Sequence, residues 1–276
     1  MPGASWRRNR WPIRNGNLIQ ERTVRLPGVQ ITDTPDGPRY LSFTTDFGVT
    51  SALKSEGAYS PAHARLAAAV FHQAEGRRLL VDIGAHIGTF SIPVVLATGC
   101  RVHAFEAQRV ISQILGANFI LNGIGDATVE HVALGAPGAG ATLSIPTVDY
   151  GQPGNFGAFS VNQEQFTRIA GRKMAAAAAR ETVRAAALDD FALDDVFFIK
   201  LDVESAELDV LKGAVKTLER NGYPPLLCEA WTSEWYENQR KALLGFIAGL
   251  GYAITPFDGD IFAQHSARPP IALPGR

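Results

Sequence analysis

The sequence predicts an α/β fold: a doubly wound, mostly parallel sheet with helices on both faces. Three observations lead there. Short runs such as "LLVDI" and "VFFIKL" are apolar on both faces, as strands in a covered parallel sheet must be. Segments with helical spacing separate these runs, and strand–helix–strand units of this kind build a parallel sheet through right-handed crossovers. Acids and glycines gather where strands end, which is where open α/β sheets hold their ligands.

Taken in order, residues 1–59 read as an N-terminal tail and a β-hairpin extension. The tail is locally basic, "WRRNRWPIR", with Trp6 and Trp11 among the arginines, and is expected to be solvated. Residues 22–46 alternate in strand fashion around the turn signal "TPDGP". The main domain spans residues 60–276. It opens with a helix that has Ser60 as N-cap, Pro61 at the first helical position, and Leu66 and Val70 one turn apart. Strands are expected at Leu79–Ile83, 101–105, 128–133, Val196–Leu201, Leu226–Cys228 and 252–256. Between them, one helix carries Ile111, Ile114, Leu115, Ile120 and Leu121 and stops at Asn122-Gly123. Another carries Leu208, Leu211, Val215 and Leu218 and stops at Asn221-Gly222. The rhythm breaks at an insertion of about residues 134–196, which includes "GAPGAGA", "YGQPGNFGAFS" and the alanine run "MAAAAAR". The first two read as loop and the third as a helical surface segment.

Composition narrows the function. A chain of 276 residues and 29.7 kDa with 46% hydrophobic residues can bury a sizeable core. A net charge of -1 and a pI near 6.6 give no field to recruit nucleic acid or an anionic membrane. The two cysteines, Cys100 and Cys228, lie in or beside strand-like runs and read as reduced core residues. No apolar run is long enough to suggest secretion or membrane spanning, so a cytoplasmic location is the expectation.

The stretch "LLVDIGAHIGTF" bears the first chemistry. Its strand ends near Asp82 and turns through Gly84 and Gly88 into an apolar helix, offering a tight bend and free N–H groups to a ligand. Ala85 and His86 stand where a dinucleotide fingerprint would need its second glycine. Asp82 suits a positively charged ligand better than a pyrophosphate. The next strand ends in Glu106, about 20 residues on, the distance at which Rossmann-like folds place an acid for ribose hydroxyls. Together the two turns point to an adenosine ligand, and their register favours S-adenosylmethionine over NAD.

"VDIGAHIGTF", "VHAFEAQ", "NFILN", "LDDF" and "FIKLDVESAELDVLKGA", in that order, resemble the FkbM family of S-adenosylmethionine-dependent methyltransferases over about residues 79–230. The chain departs from the family's usual DVGAN, EP and DVEG at His86, Ala107 and Ser205. The resemblance implies a class I methyltransferase (Rossmann-like) fold whose last strand is antiparallel. By the same resemblance, Asp82, Gly84, His86 and Gly88 would line the methionine side of the cofactor and Glu106 would hold the ribose. The adenine would lie just after Glu106 and at residues 132–134.

The fourth core strand runs into Lys200, Asp202 and Glu204, which extended geometry would place on one side. At the carboxyl edge of the sheet these are the catalytic candidates. Asp202 is the first choice as general base for an acceptor hydroxyl and Glu204 the second. Glu207 reads as a helix-start acid. Glu229 ends the next strand, and with Asp202 it could hold a divalent metal such as Mg²⁺, though an acid pair around the acceptor needs no metal and is preferred. Asn155, Glu229 and Trp231 are the candidate acceptor-binding residues, with Tyr150, Phe156, Phe159, Trp235 and Tyr236 nearby in sequence. His131 and His265 read as ordinary polar residues. The expected reaction is O-methylation of a carbohydrate or secondary-metabolite hydroxyl, with a small molecule or glycan as partner and neither nucleic acid nor membrane involved. Alternatives are an NAD-dependent oxidoreductase and a cofactor-binding domain without catalysis.

Overall fold

The computed structural model describes residues 28–35, 37–76, 78–138, 140–158, 160 and 179–271. The basic tail with Trp6 and Trp11, the start of the expected hairpin segment at residues 22–27, residues 174–178 of the alanine run, and Phe159 lie outside the described residues.

Strands β1 (Val29–Asp33) and β2 (Arg39–Phe43) form an antiparallel hairpin with Ile31 opposite Leu41. Tyr40, Ser42 and Phe43 of β2 face inward and are buried. Helix α1 (Val49–Glu56) follows, its first turn capped by Asp46, whose carboxylate accepts from Gly48 N at 2.9 Å and Thr50 N at 2.8 Å. Helix α2 (Pro61–Phe71) begins with its proline as expected, but Ser60 makes no side-chain cap. Ser60 sits in the left-handed region at φ 45° and belongs to the cavity described below.

The main domain continues through β3 (Leu79–Ile83), α3 (Ser91–Thr98), β4 (Arg101–Glu106), α4 (Arg109–Leu121) and β5 (Ala127–His131). The insertion holds β6 (Ala133–Leu134), β7 (Thr142–Pro146) and β8 (Arg180–Ala186). Then come β9 (Val196–Leu201), α5 (Glu207–Lys212), α6 (Val215–Arg220), β10 (Leu226–Cys228), α7 (Glu237–Gly249), β11 (Tyr252–Phe257) and β12 (Asp260–His265).

Seven strands form the main sheet in the order β5-β4-β3-β9-β10-β12-β11. The pairs β4/β5, β3/β4, β3/β9 and β9/β10 are parallel, while β12 runs antiparallel to both neighbours. Strand order reverses between β3 and β9, so the carboxyl ends of these two strands flank a crevice. One face of the sheet, with Leu80, Ala104, Phe198 and Phe262, packs on Leu66, Ile92, Leu115 and Phe119. The other, with Val81, Ile83, Phe105 and Ile199, packs on Leu211, Leu218, Leu243 and Ile247. Both cysteines are buried, and among the described residues no helix is long and apolar enough to cross a membrane.

Several expectations are corrected. The insertion is not patternless, because β7 and β6 pair with β8 in a three-stranded sheet of their own. The buried stripe of α4 is Ile111, Leu115 and Phe119, four residues apart, whereas Ile120 is 77% exposed. The single helix expected over residues 205–222 is two. At Gly213, between them, a Cβ would overlap the Gly135 carbonyl oxygen. The second half starts on a new cap, as Asp189 accepts from Thr217 N at 2.7 Å and Lys216 N at 3.1 Å. The asparagines of "NFILN" fasten the hairpin to the main domain. Asn122 bonds both Arg39 N (2.8 Å) and Arg39 O (2.7 Å). Asn118 bonds Leu41 N (2.6 Å) and Leu41 O (3.1 Å), and its amide also donates to Ile87 O at 2.9 Å. Side-chain amides thus satisfy part of an edge strand that would otherwise stand open.

Candidate active site

At the carboxyl end of β3 the chain bends at Gly84, where φ is +78°. A Cβ there would overlap the carbonyl oxygen of Asp202. The backbone N–H of Gly84 and of Ala85 both donate to Phe105 O (3.0 and 3.1 Å), and Asp202 N donates to Ile83 O at 3.0 Å. The ends of β4, β3 and β9 are therefore drawn tightly together, which only a residue without a side chain permits at position 84.

A cavity of about 290 Å³ opens above these ends. Toward β4 and the strands beyond it the lining is largely apolar, with Phe105, Ala107, Val132, Ala133 and Leu134, and Gln108 among them. Toward β9, β10 and β12 it carries Lys200, Asp202, Glu204, Glu229, Asp258 and Asp260. One wall is apolar and the other is acidic.

Glu106 ends β4 and lines the cavity although it is only 6% exposed. Its Oε1 accepts from Gln108 N (2.8 Å) and its Oε2 from His86 N (3.0 Å). Burial pushes its carboxyl up to about 7, against the pull of those two N–H groups. Each oxygen keeps a lone pair for a further donor. Gln108 is fixed in turn by Tyr150, whose hydroxyl donates to it at 3.1 Å, and by the Phe156 carbonyl at 3.3 Å. Tyr150 stacks on Phe43 at 4.7 Å, so the hairpin and the loop at residues 148–158 form one aromatic cover. Asn155 lines the cavity from this loop.

On the acidic wall, Lys200 Nζ donates to Asp202 Oδ2 at 2.8 Å and lies 5.6 Å over the Phe90 ring. Burial disfavours its charge, but Asp202 and Asp82 outweigh this and raise its proton affinity. Glu204 is pushed up to about 9 by burial and by Asp202, and Glu229 to about 11 for the same reasons. The Oε2 atoms of both are buried without a hydrogen-bond partner. One oxygen each from Asp202, Glu204 and Glu229 lies within 4.8 Å of the others. Glu207 stands outside the cavity lining and supports this loop. It accepts from Val203 N and Ser205 N, both at 3.1 Å, and from the Tyr236 hydroxyl at 3.0 Å.

Of the residues singled out in the sequence, Gly84, His86, Glu106, Asn155, Lys200, Asp202, Glu204 and Glu229 meet around this one cavity. Three do not line it. Asp82 is fully buried, and burial lifts it to about 6 while Lys200 and the Ser91 hydroxyl draw it down. Gly88 makes room for Ile92 and Leu115, whose methyls lie 2.7 and 3.0 Å from where a Cβ would be. Trp231 packs edge-on to Trp235 at 5.1 Å. The cavity also includes residues that the sequence reading missed: Tyr59, Ser60 and His63 before and within α2, and Asp258 and Asp260 at the β11–β12 turn. His63 lies between the two acids, with Nδ1 3.7 Å from Asp260 Oδ2 and Nε2 3.3 Å from the Asp258 carbonyl. The signal for the turn was present in "FDGD". Asp-Gly between two strands marks a two-residue hairpin, and both residues have the positive φ that such a turn needs (47° and 91°).

Two departures from the family pattern fall on left-handed backbone: His86 at φ 49° and Ser205 at φ 80°. Ser205→Gly should therefore stabilise the protein. Relief of about 1–2 kcal/mol of steric cost exceeds the roughly 0.5–1 kcal/mol of chain entropy that glycine adds. A raised urea midpoint with an unchanged slope would show it, and an unchanged or lowered midpoint would refute it.

The profile of the family described as Methyltransferase FkbM domain matches residues 82–254. No curated protein matches the chain. Among solved structures, an O-methyltransferase from Bacillus cereus in complex with SAH is similar at 14% identity and a TM-score of 0.44, covering 78% of this chain and 84% of that one. A precorrin-6y C5,15-methyltransferase from Geobacter metallireducens GS-15 is similar at 12% identity and a TM-score of 0.43, covering 74% of this chain and 87% of that one.

Proposed function

The chain belongs to the FkbM methyltransferase family, and from that premise we propose that it moves the methyl group of S-adenosylmethionine to a hydroxyl of a carbohydrate or another polyhydroxylated small molecule. The observation that carries this reading is Glu106: a buried carboxylate, held by two backbone N–H groups, that still faces the cavity at the carboxyl end of β4. That pair of acceptor oxygens fits two ribose hydroxyls. The apolar lining from Phe105 to Leu134 fits a purine ring, and the Gly84–His86 turn fits the amino-acid end. The family membership leaves hydride transfer from NAD without support.

S-adenosylmethionine supplies, when bound, an electrophilic methyl group on a sulfonium. The chain's own part is to align an acceptor oxygen with that methyl, a positioning effect that can lower the barrier by roughly 7–11 kcal/mol, and to take the hydroxyl proton. Lys200 fixes Asp202 through Oδ2, and Oδ1 accepts the proton. Glu204 and Glu229 hold their protons at neutral pH and so can donate hydrogen bonds to other acceptor oxygens. Asn155, across the cavity, offers an amide to the same molecule.

The test is transfer of radiolabelled methyl from S-adenosylmethionine to a panel of sugars, glycosides and hydroxylated metabolites. Label in an ether product supports the reading. Failure of S-adenosylmethionine to bind in calorimetry removes it, and binding without turnover on any acceptor would favour a non-catalytic role. Chelation with EDTA should leave the rate unchanged, because the acids of the cavity wall act here as proton carriers. A rate lost to EDTA and restored by Mg²⁺ would instead make Asp202, Glu204 and Glu229 metal ligands.

A further inference from the structure

We propose that the acceptor is amphipathic, and that its aliphatic arm lies in a second, apolar cleft beside the cavity. The cleft, of about 260 Å³, lies among Pro38 and Tyr40 of the hairpin, Ala64 and Ala68 of α2, and Pro93 and Ala97 of α3. Arg65 is the one charged residue among the described residues that line it. Tyr59 and Thr89 line both spaces, so the cleft adjoins the cavity instead of standing alone on the surface.

Tyr59 shows how the two spaces divide a ligand. It lines the cavity together with Asp202, Glu204 and Glu229, and is 42% exposed. It also lines the cleft. A molecule lying across Tyr59 would therefore have its hydroxylated head among Asp202, Glu204 and Glu229 and an apolar extension against proline and alanine surfaces. A sugar alone would leave the cleft wet, and apolar surface of this kind gains only when an apolar group covers it. The continuity with the cavity is what assigns the cleft to the acceptor's own tail and not to a separate partner.

This inference rests on the reading of the main cavity as the methyl-transfer site, and the experiment separates the two. Hexyl, heptyl and octyl β-glucosides are titrated by calorimetry into the protein saturated with S-adenosylmethionine. Affinity should tighten by about fourfold for each added methylene, the ratio equivalent to about 0.8 kcal/mol per buried CH₂. Ala68→Phe, which fills the cleft from α2, and Ala97→Trp, at an exposed position on α3, should each flatten that dependence while leaving S-adenosylmethionine affinity unchanged. A flat series in the parent protein overturns the proposal, as does a dependence that survives both substitutions. If S-adenosylmethionine itself does not bind, the reading of the main cavity fails and this inference with it. If it binds and the series is flat, only the inference fails.

Discussion

Asp202→Asn should slow methyl transfer by about 100- to 10,000-fold, the usual contribution of a placed general base, with little change in S-adenosylmethionine affinity. The substitution keeps the shape of the side chain and still offers Lys200 an oxygen, but it removes the group that takes the proton. Lys200 keeps a second anionic neighbour in Asp82, so the ammonium is not left without compensation. Single-turnover rates, measured with the donor already bound, isolate the chemical step from binding. An undiminished rate would refute Asp202 as the base.

Glu106→Ala should weaken S-adenosylmethionine binding by at least roughly 100-fold. Hydrogen bonds to a charged group contribute about 1.5–3 kcal/mol each, and two are at stake with the ribose. The backbone N–H groups of His86 and Gln108 also lose their acceptor. The pH dependence has a definite sign. With its carboxyl raised to about 7, Glu106 is ionised above that value and protonated below it. Affinity should therefore fall as the pH drops through about 7, and this slope should vanish in the alanine variant. Calorimetry that finds the same affinity in both proteins would end the ribose assignment.

Much of the fold could be read in advance because its core strands are short-range signals. Leu79–Ile83, Val196–Leu201 and Leu226–Cys228 stand where their unbroken apolar runs predict. Their ends then bring Gly84, Glu106, Asp202 and Glu229 to one place once the order of strands is known. What escaped depends on partners far away in the chain. Asn118 and Asn122 carry no mark of the hairpin that they bind, 77 and 83 residues away. Gly213 looks like a tolerable glycine inside a helix until the carbonyl of Gly135 is set against it. Strands β7 and β8 of the small sheet are largely exposed and β6 is only two residues long, so none of them gave a clean alternation. His63 was hidden for the same reason: its acidic neighbours arrive from a turn at the other end of the chain.

One amide in α4 has a consequence for where this enzyme can be cut. Asn118 donates at once to the hairpin, through Leu41, and to the cavity-lining turn after β3, through Ile87. The stretch that carries the family's sequence signature begins only at residue 82, yet the brace on that turn is anchored some forty positions earlier. A trimmed version starting just ahead of β3 would retain every strand of the large sheet and lose the strut that holds the turn after β3 in place. The smallest working unit therefore reaches back to the hairpin.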